Sequence, residues 1–176
     1  MNRLRLAMDS EGTKVHVYNL GVSGATTANV LQCFEVESEA RQPDVIIFQV
    51  GNNNLLDYGT PGQHAVSVEN FMRNLAQLVE KARVYTNHIL FLGIARYDER
   101  KTLPVSWRNI YYCNAAGEQY NQVIQATARQ LGAGYLPLRD VLGNGDLSDG
   151  LHPNESGHQK IFEAVRAFML KWGWLS

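Results

Sequence analysis

The sequence predicts an α/β domain in which helices cover both faces of a mostly parallel sheet, a three-layer α/β/α sandwich. Three observations carry that expectation. Apolar, β-branched runs such as Asp44-Val-Ile-Ile-Phe-Gln-Val50 have the continuous hydrophobicity of strands buried on both faces. Amphipathic segments of helical period lie between them, the clearest over residues 66–85, where Phe71, Leu75, Leu78 and Val79 share one face. The two kinds of segment alternate, and strands separated by helices imply parallel neighbours joined by right-handed crossovers.

The elements follow in order. Residues 2–10 read as the end of a helix with Gly12 as its C-cap. Val15 and Val17 begin a strand over 15–19. The Gly/Ser/Thr cluster after it turns the chain into a helix over 27–34. Strand 44–50 ends in Gly51 and three amides, Asn52, Asn53 and Asn54. Helix 66–85 leads to strand 89–93. Residues 96–113 form a polar and aromatic connection. A helix over 116–131, a short strand over 135–138 and a last helix over 157–172 complete the chain. The 176 residues make one domain, 1–176, long enough to bury a substantial core.

Charge and composition exclude several classes. With 16 basic and 17 acidic residues the formal net charge is −1, so there is no electrostatic case for nucleic acid. No apolar run approaches the roughly 20 residues of a membrane span. No signal-peptide pattern begins the chain, which points to a cytoplasmic setting. Cys33 and Cys113 lack metal-ligand spacing and read as free core thiols rather than a disulfide framework. There is neither a phosphate-cradling Gly-rich Lys loop nor a metal-ligand cluster.

Chemistry concentrates in Asp149-Gly-Leu-His152-Pro153-Asn154. An Asp and a His three residues apart can share a loop, the carboxylate holding the imidazole in one tautomer while the ring acts as a general base. Asp-Gly is also a favoured turn pair, so the motif alone is a weak signal. Two further blocks strengthen it. In Gly21-Val-Ser-Gly24-Ala-Thr-Thr27, Gly24 lacks a side chain and its N–H can approach a ligand closely. In Gly51-Asn-Asn53-Asn54, an amide just beyond a strand end can donate to a developing oxyanion.

Together and in this order, the three blocks resemble the SGNH (GDSL-type) hydrolases, a family of esterases and lipases, over residues 3–168. The resemblance implies a flavodoxin-like sheet and makes Gly24 and Asn53 oxyanion-hole donors. It makes Asp149 and His152 two members of a Ser-His-Asp triad that cleaves acyl or acetyl esters of small molecules, lipids or sugars. It implies no metal or organic cofactor. Asn54 stands where the family usually has Asp. The family's first block, a strand ending in Gly-Asp-Ser, has no counterpart. Met8-Asp-Ser10 is the nearest string, but Ser10 lies only 14 positions before Gly24, whereas a strand, crossover helix and parallel strand need roughly 30 residues. The expectation is therefore a chain that begins after the catalytic serine. The contrasting expectation is an inactive module of the same fold that binds an ester, a saccharide or a protein partner.

A missing first strand has a structural consequence. In a 2-1-3-4-5 sheet that strand is central, and an empty slot would leave backbone groups unpaired at roughly 1–3 kcal/mol each. Either strand 15–19 closes directly onto strand 44–50, or a swapped or neighbouring segment fills the slot, or polypeptide before Met1 does. Among other residues, His158 is expected to face solvent, and His16, His64 and His88 to lack partners. Arg96, Tyr97, Trp107, Tyr111 and Tyr112 fall in the long connection, where an aromatic patch could line an acyl or sugar pocket or simply pack in the core.

Overall fold

The computed structural model describes residues 15–59 and 62–175. The expected helix over 2–10, its Gly12 cap and Ser10 lie outside them. Within them the chain forms α1 (Thr27–Glu39), β1 (Ile46–Phe48), the one-turn α2 (Asn52–Leu55), β2 (Asp57–Tyr58) and α3 (Val68–Ala82). There follow β3 (Ile89–Leu92), the one-turn α4 (Glu99–Thr102), β4 (Ile110–Tyr111), α5 (Asn114–Gln130), β5 (Gly134–Leu136) and α6 (Glu155–Lys171). The main sheet is parallel, in the order β1-β3-β5, with Ile46 opposite Ile89 and Phe91 opposite Tyr135.

Helices lie on both faces of that sheet. β3 is buried along its whole length, and its side chains alternate between two cores. Ile89 and Phe91 pack with Phe34 of α1, Phe71, Leu75 and Leu78 of α3, and Tyr120 and Ile124 of α5. Leu90 and Leu92 pack on the other face with Val165 and Met169 of α6. The period-two alternation of a strand thus meets helices of 3.6 period on each side. α3 starts where Ser67 accepts a hydrogen bond from the Asn70 N–H, and Lys81 lies in its last turn. It buries the face that the sequence periodicity marks.

Two expectations are corrected. Residues 15–19 form no strand, and no backbone hydrogen bond joins them to β1 or to any other described strand. Direct closure of this segment onto 44–50 is therefore not what fills the sheet. Val17 does pack against the core beneath α6, while Tyr18, Leu20 and Val22 are exposed. Alternating apolar residues favour an extended backbone, but a strand also needs a neighbour to complete its ladder. The second correction is in the connection after β3. Residues 96–113 contain α4 and β4, and β4 pairs antiparallel with β2, Asp57 opposite Tyr111. Two-residue strands are too short to leave a periodic signal.

Candidate active site

The loop before α6 is held from several sides. Leu147 and Pro153 form an isolated antiparallel bridge, and both the N–H and the hydroxyl of Ser148 donate to the His152 carbonyl, at 2.9 and 3.1 Å. Asn154 caps α6 by accepting from the Gly157 N–H at 3.0 Å, and its own amide donates to the Gly145 carbonyl at 2.8 Å. The Asp98 N–H donates to the Gly150 carbonyl at 3.0 Å. Gly150 has φ +88°, and a Cβ there would press on Lys101 and the Asp98 carbonyl, so the turn requires glycine.

This frame aims Asp149 at His152. One carboxylate oxygen accepts from the Leu151 N–H at 3.0 Å and the His152 N–H at 2.7 Å, and the other lies 2.7 Å from His152 Nδ1. The spacing therefore does bring the two side chains together on one side of the loop. Partial burial pushes the Asp149 carboxyl up. The hydrogen bonds from the His152 N–H, the His152 ring and the Leu151 N–H outweigh that, leaving it below the usual carboxylate range. A carboxylate there fixes Nδ1 as the hydrogen-bearing nitrogen of a neutral ring and leaves Nε2 as a base. The His152 side chain is 63% exposed, and no described hydroxyl is hydrogen-bonded to Nε2.

Beside the loop, beyond the carboxyl ends of β1 and β3, lies a cleft of about 160 Å³. Its walls include Ala25, Asn52, Asn53, Ile94, Leu151 and Pro153. It thus takes in Asn53 itself, the neighbour of Gly24 and both neighbours of His152. Gly24 has φ +79°, the left-handed region that favours glycine, in the turn leading to α1. Asn53 Nδ2 donates to the Ala25 carbonyl at 3.0 Å, tying the β1 end to that turn. Its second N–H has no partner among the described residues.

Two supports around the cleft escaped sequence reasoning. Asn54 is wholly buried, its Nδ2 donating to Thr27 Oγ1 at 2.7 Å and its Oδ1 accepting from the Thr27 N–H at 3.2 Å. An amide uses both its donor and its acceptor here, so the departure from Asp keeps a tie to α1 without a buried charge. Tyr97 OH donates to Asn52 Oδ1 at 2.7 Å, and burial holds its phenol well above the ordinary value. The run of three amides was the only signal for either.

The aromatic connection divides. Tyr97 and Tyr112 are buried and pack on each other, Arg96 is exposed, and Trp107 stands beside His152 with ring centroids 6.3 Å apart. The expectation for His64 is corrected, because its Nδ1 lies 2.7 Å from Oδ1 of buried Asp57 and its ring meets Tyr120 edge-on. His88 also has a partner, stacking on Trp174. His158 lies on α6 and is exposed, as expected.

A parallel sheet between helices, with a cleft beyond its strand ends lined by Asn52 and Asn53 next to the loop of Asp149 and His152, makes this an α/β protein of three layers. The chain belongs to the GDSL-like Lipase/Acylhydrolase family, which it matches over residues 3–160. It is 26% identical over 166 residues to Esterase TesA of Pseudomonas aeruginosa, covering 92% of this chain and 73% of that protein. Its fold is similar to that of a lipase/acylhydrolase from Enterococcus faecalis, with TM-score 0.78 and 17% identity, covering 96% of this chain and 83% of that one. It is similar too to Axe2, an acetylxylan esterase from Geobacillus stearothermophilus, with TM-score 0.76 and 17% identity over 94% of this chain and 78% of that one. No helix among the described residues is long and apolar enough to cross a membrane.

Proposed function

We propose that Asp149 and His152 are the orienting acid and general base of an ester-hydrolysing site that works through an acyl-enzyme. The observation that carries this reading is the 2.7 Å contact from the Asp149 carboxylate to Nδ1 of His152, an exposed side chain whose chain neighbours Leu151 and Pro153 line the cleft. A serine hydroxyl attacks the ester carbonyl while Nε2 takes its proton, and the alkoxide of the substrate leaves with that proton. Water then gives a proton to Nε2 and attacks the acyl-serine, releasing the carboxylic acid and restoring the hydroxyl. The Gly24 N–H and the second N–H of Asn53 stabilise the oxyanion, each worth roughly 3–4 kcal/mol if removed.

The nucleophile is the open half of this reading. In our proposal it is a serine in polypeptide upstream of Met1, because the Gly-Asp-Ser block has no counterpart in the sequence and Ser10 stands too close to Gly24. A second reading is a nucleophile-less module of the same fold that binds esters or saccharides. A fluorophosphonate probe followed by peptide mass spectrometry tests both. Chain 1–176 is expected to stay unlabelled and to hydrolyse no short-chain aryl ester. Hydrolysis that disappears in Ser10→Ala, with the label on Ser10, would overturn the upstream placement. Reading the coding DNA before Met1 then separates the two proposals, since an in-frame Gly-Asp-Ser run supports the enzyme and its absence supports the binding module.

A further inference from the structure

Trp107 is 54% exposed, yet the loop that carries it is firmly rooted. Val105 and Ile110 at its base are buried, and the Val105 N–H donates to the Ile110 carbonyl at 3.0 Å. Ile110 then continues into the pairing with β2. The indole is therefore held in solvent by a loop whose shape does not depend on it. Its ring centroid lies 6.3 Å from that of His152 at an interplanar angle of 31°, inside the range of aromatic contacts. Trp107 is not part of the cleft lined by Asn53, Leu151 and Pro153.

We infer that Trp107 is the platform for the alcohol side of the substrate, and that this alcohol is a pyranose sugar. The inference rests on reading His152 as the centre of an ester site. The cleft of about 160 Å³ is close to the ~150 Å³ cavity that encloses benzene, so it takes a short acyl group rather than a long chain. The alcohol then leaves past His152, on the indole side. The face of an indole is the negative pole of its quadrupole, and the axial C–H bonds of an equatorially substituted pyranose present a matching weakly positive face. Ser106, Arg108 and Asn109, which flank Trp107 in the loop, are exposed polar residues. A lipid alcohol would need contiguous apolar surface, whereas the exposed stretch 106–109 holds one apolar side chain among three polar residues.

The test is a nuclear magnetic resonance titration of chain 1–176 with methyl β-glucopyranoside, which has no ester bond and so reports binding without turnover. Of the three indole N–H signals, the one missing in Trp107→Phe belongs to Trp107. That signal is expected to shift on titration while those of Trp172 and Trp174 stay in place. Trp107→Ala is expected to weaken binding about tenfold, read from the shifts of neighbouring backbone amides, and Trp107→Phe to stay within threefold of wild type. An unmoved Trp107 signal up to the sugar's solubility limit would overturn the inference. A Trp107 signal that moves only with monooctanoylglycerol would overturn it in favour of a lipid alcohol. Saccharide binding in a chain that no upstream serine ever activates would defeat the esterase reading while leaving the platform intact.

Discussion

Replacing Asp149 by Asn keeps the volume of the side chain and forces a choice on the loop. The carboxylate accepts three hydrogen bonds, two from the Leu151 and His152 N–H groups on one oxygen and one from the His152 ring on the other. An Asn has one acceptor oxygen. If that oxygen keeps the two backbone donors, its NH₂ faces Nδ1, and the ring must carry its proton on Nε2 instead. If it turns to serve the ring, its NH₂ faces two backbone donors. Either way one hydrogen bond to a charged acceptor is lost, a net cost of about 1.5–3 kcal/mol for such bonds, reduced because the Asp149 side chain is 29% exposed. We expect a loss of about 1–2 kcal/mol, which for a domain of this size lowers Tm by roughly 2–8 °C. The first arrangement leaves the backbone frame intact, so the expected tautomer of the neutral ring is Nε2–H in place of Nδ1–H. Long-range nitrogen–proton correlation spectra distinguish the two directly. In a nucleophile-bearing form of the protein the same change is expected to reduce kcat by about 10³–10⁴-fold, the order found where a triad base takes the wrong tautomer. An unchanged Nδ1–H tautomer together with an unchanged Tm would refute the assignment of Asp149 as the orienting group.

His64→Ala removes one partner of buried Asp57, which keeps the Gly62 N–H at 2.6 Å as an acceptor contact. Urea denaturation should show a loss of about 2–4 kcal/mol, largely relieved when Asp57→Asn is added, and a strictly additive double variant would contradict direct pairing. Acid should destabilise the fold through three carboxyls. The hydrogen bond from Arg100 holds Asp98 low, that from Lys160 holds Asp146 low, and the contacts from His152 and Leu151 outweigh burial at Asp149. Because each folded value lies below the ordinary one near ~3.9, their contribution is complete above about pH 4 and is lost as pH falls through the folded values. Melting curves between pH 6 and pH 2.5 should therefore hold steady at first and then drop, and a flat profile would count against these pairings.

The sequence by itself determined the layer order and the chemistry of one loop. Buried strands such as 89–92 and amphipathic helices such as 68–82 announce themselves because burial on two faces or on one leaves a periodic mark in a single segment. The Asp149–His152 contact was legible for the same reason, since both partners lie within one turn of chain. What needed a distant partner was not. Residues 15–19 have the composition of a strand but no ladder, because a strand's hydrogen bonds belong to its neighbour. The ties of Asn54 to Thr27 and of Asn52 to Tyr97 span 27 and 45 positions, and nothing local in three consecutive asparagines says which carbonyl or hydroxyl each will meet. His64 looked solitary for want of Asp57, whose burial only the packing of Tyr120 and the β2–β4 pair reveals. Trp107 was one aromatic among several, and tertiary structure separated it from buried Tyr97 and Tyr112 by rooting its loop on Val105 and Ile110 and turning the indole toward His152. Local periodicity is written into each segment, whereas the partner of a polar or exposed side chain is fixed only when the chain closes on itself.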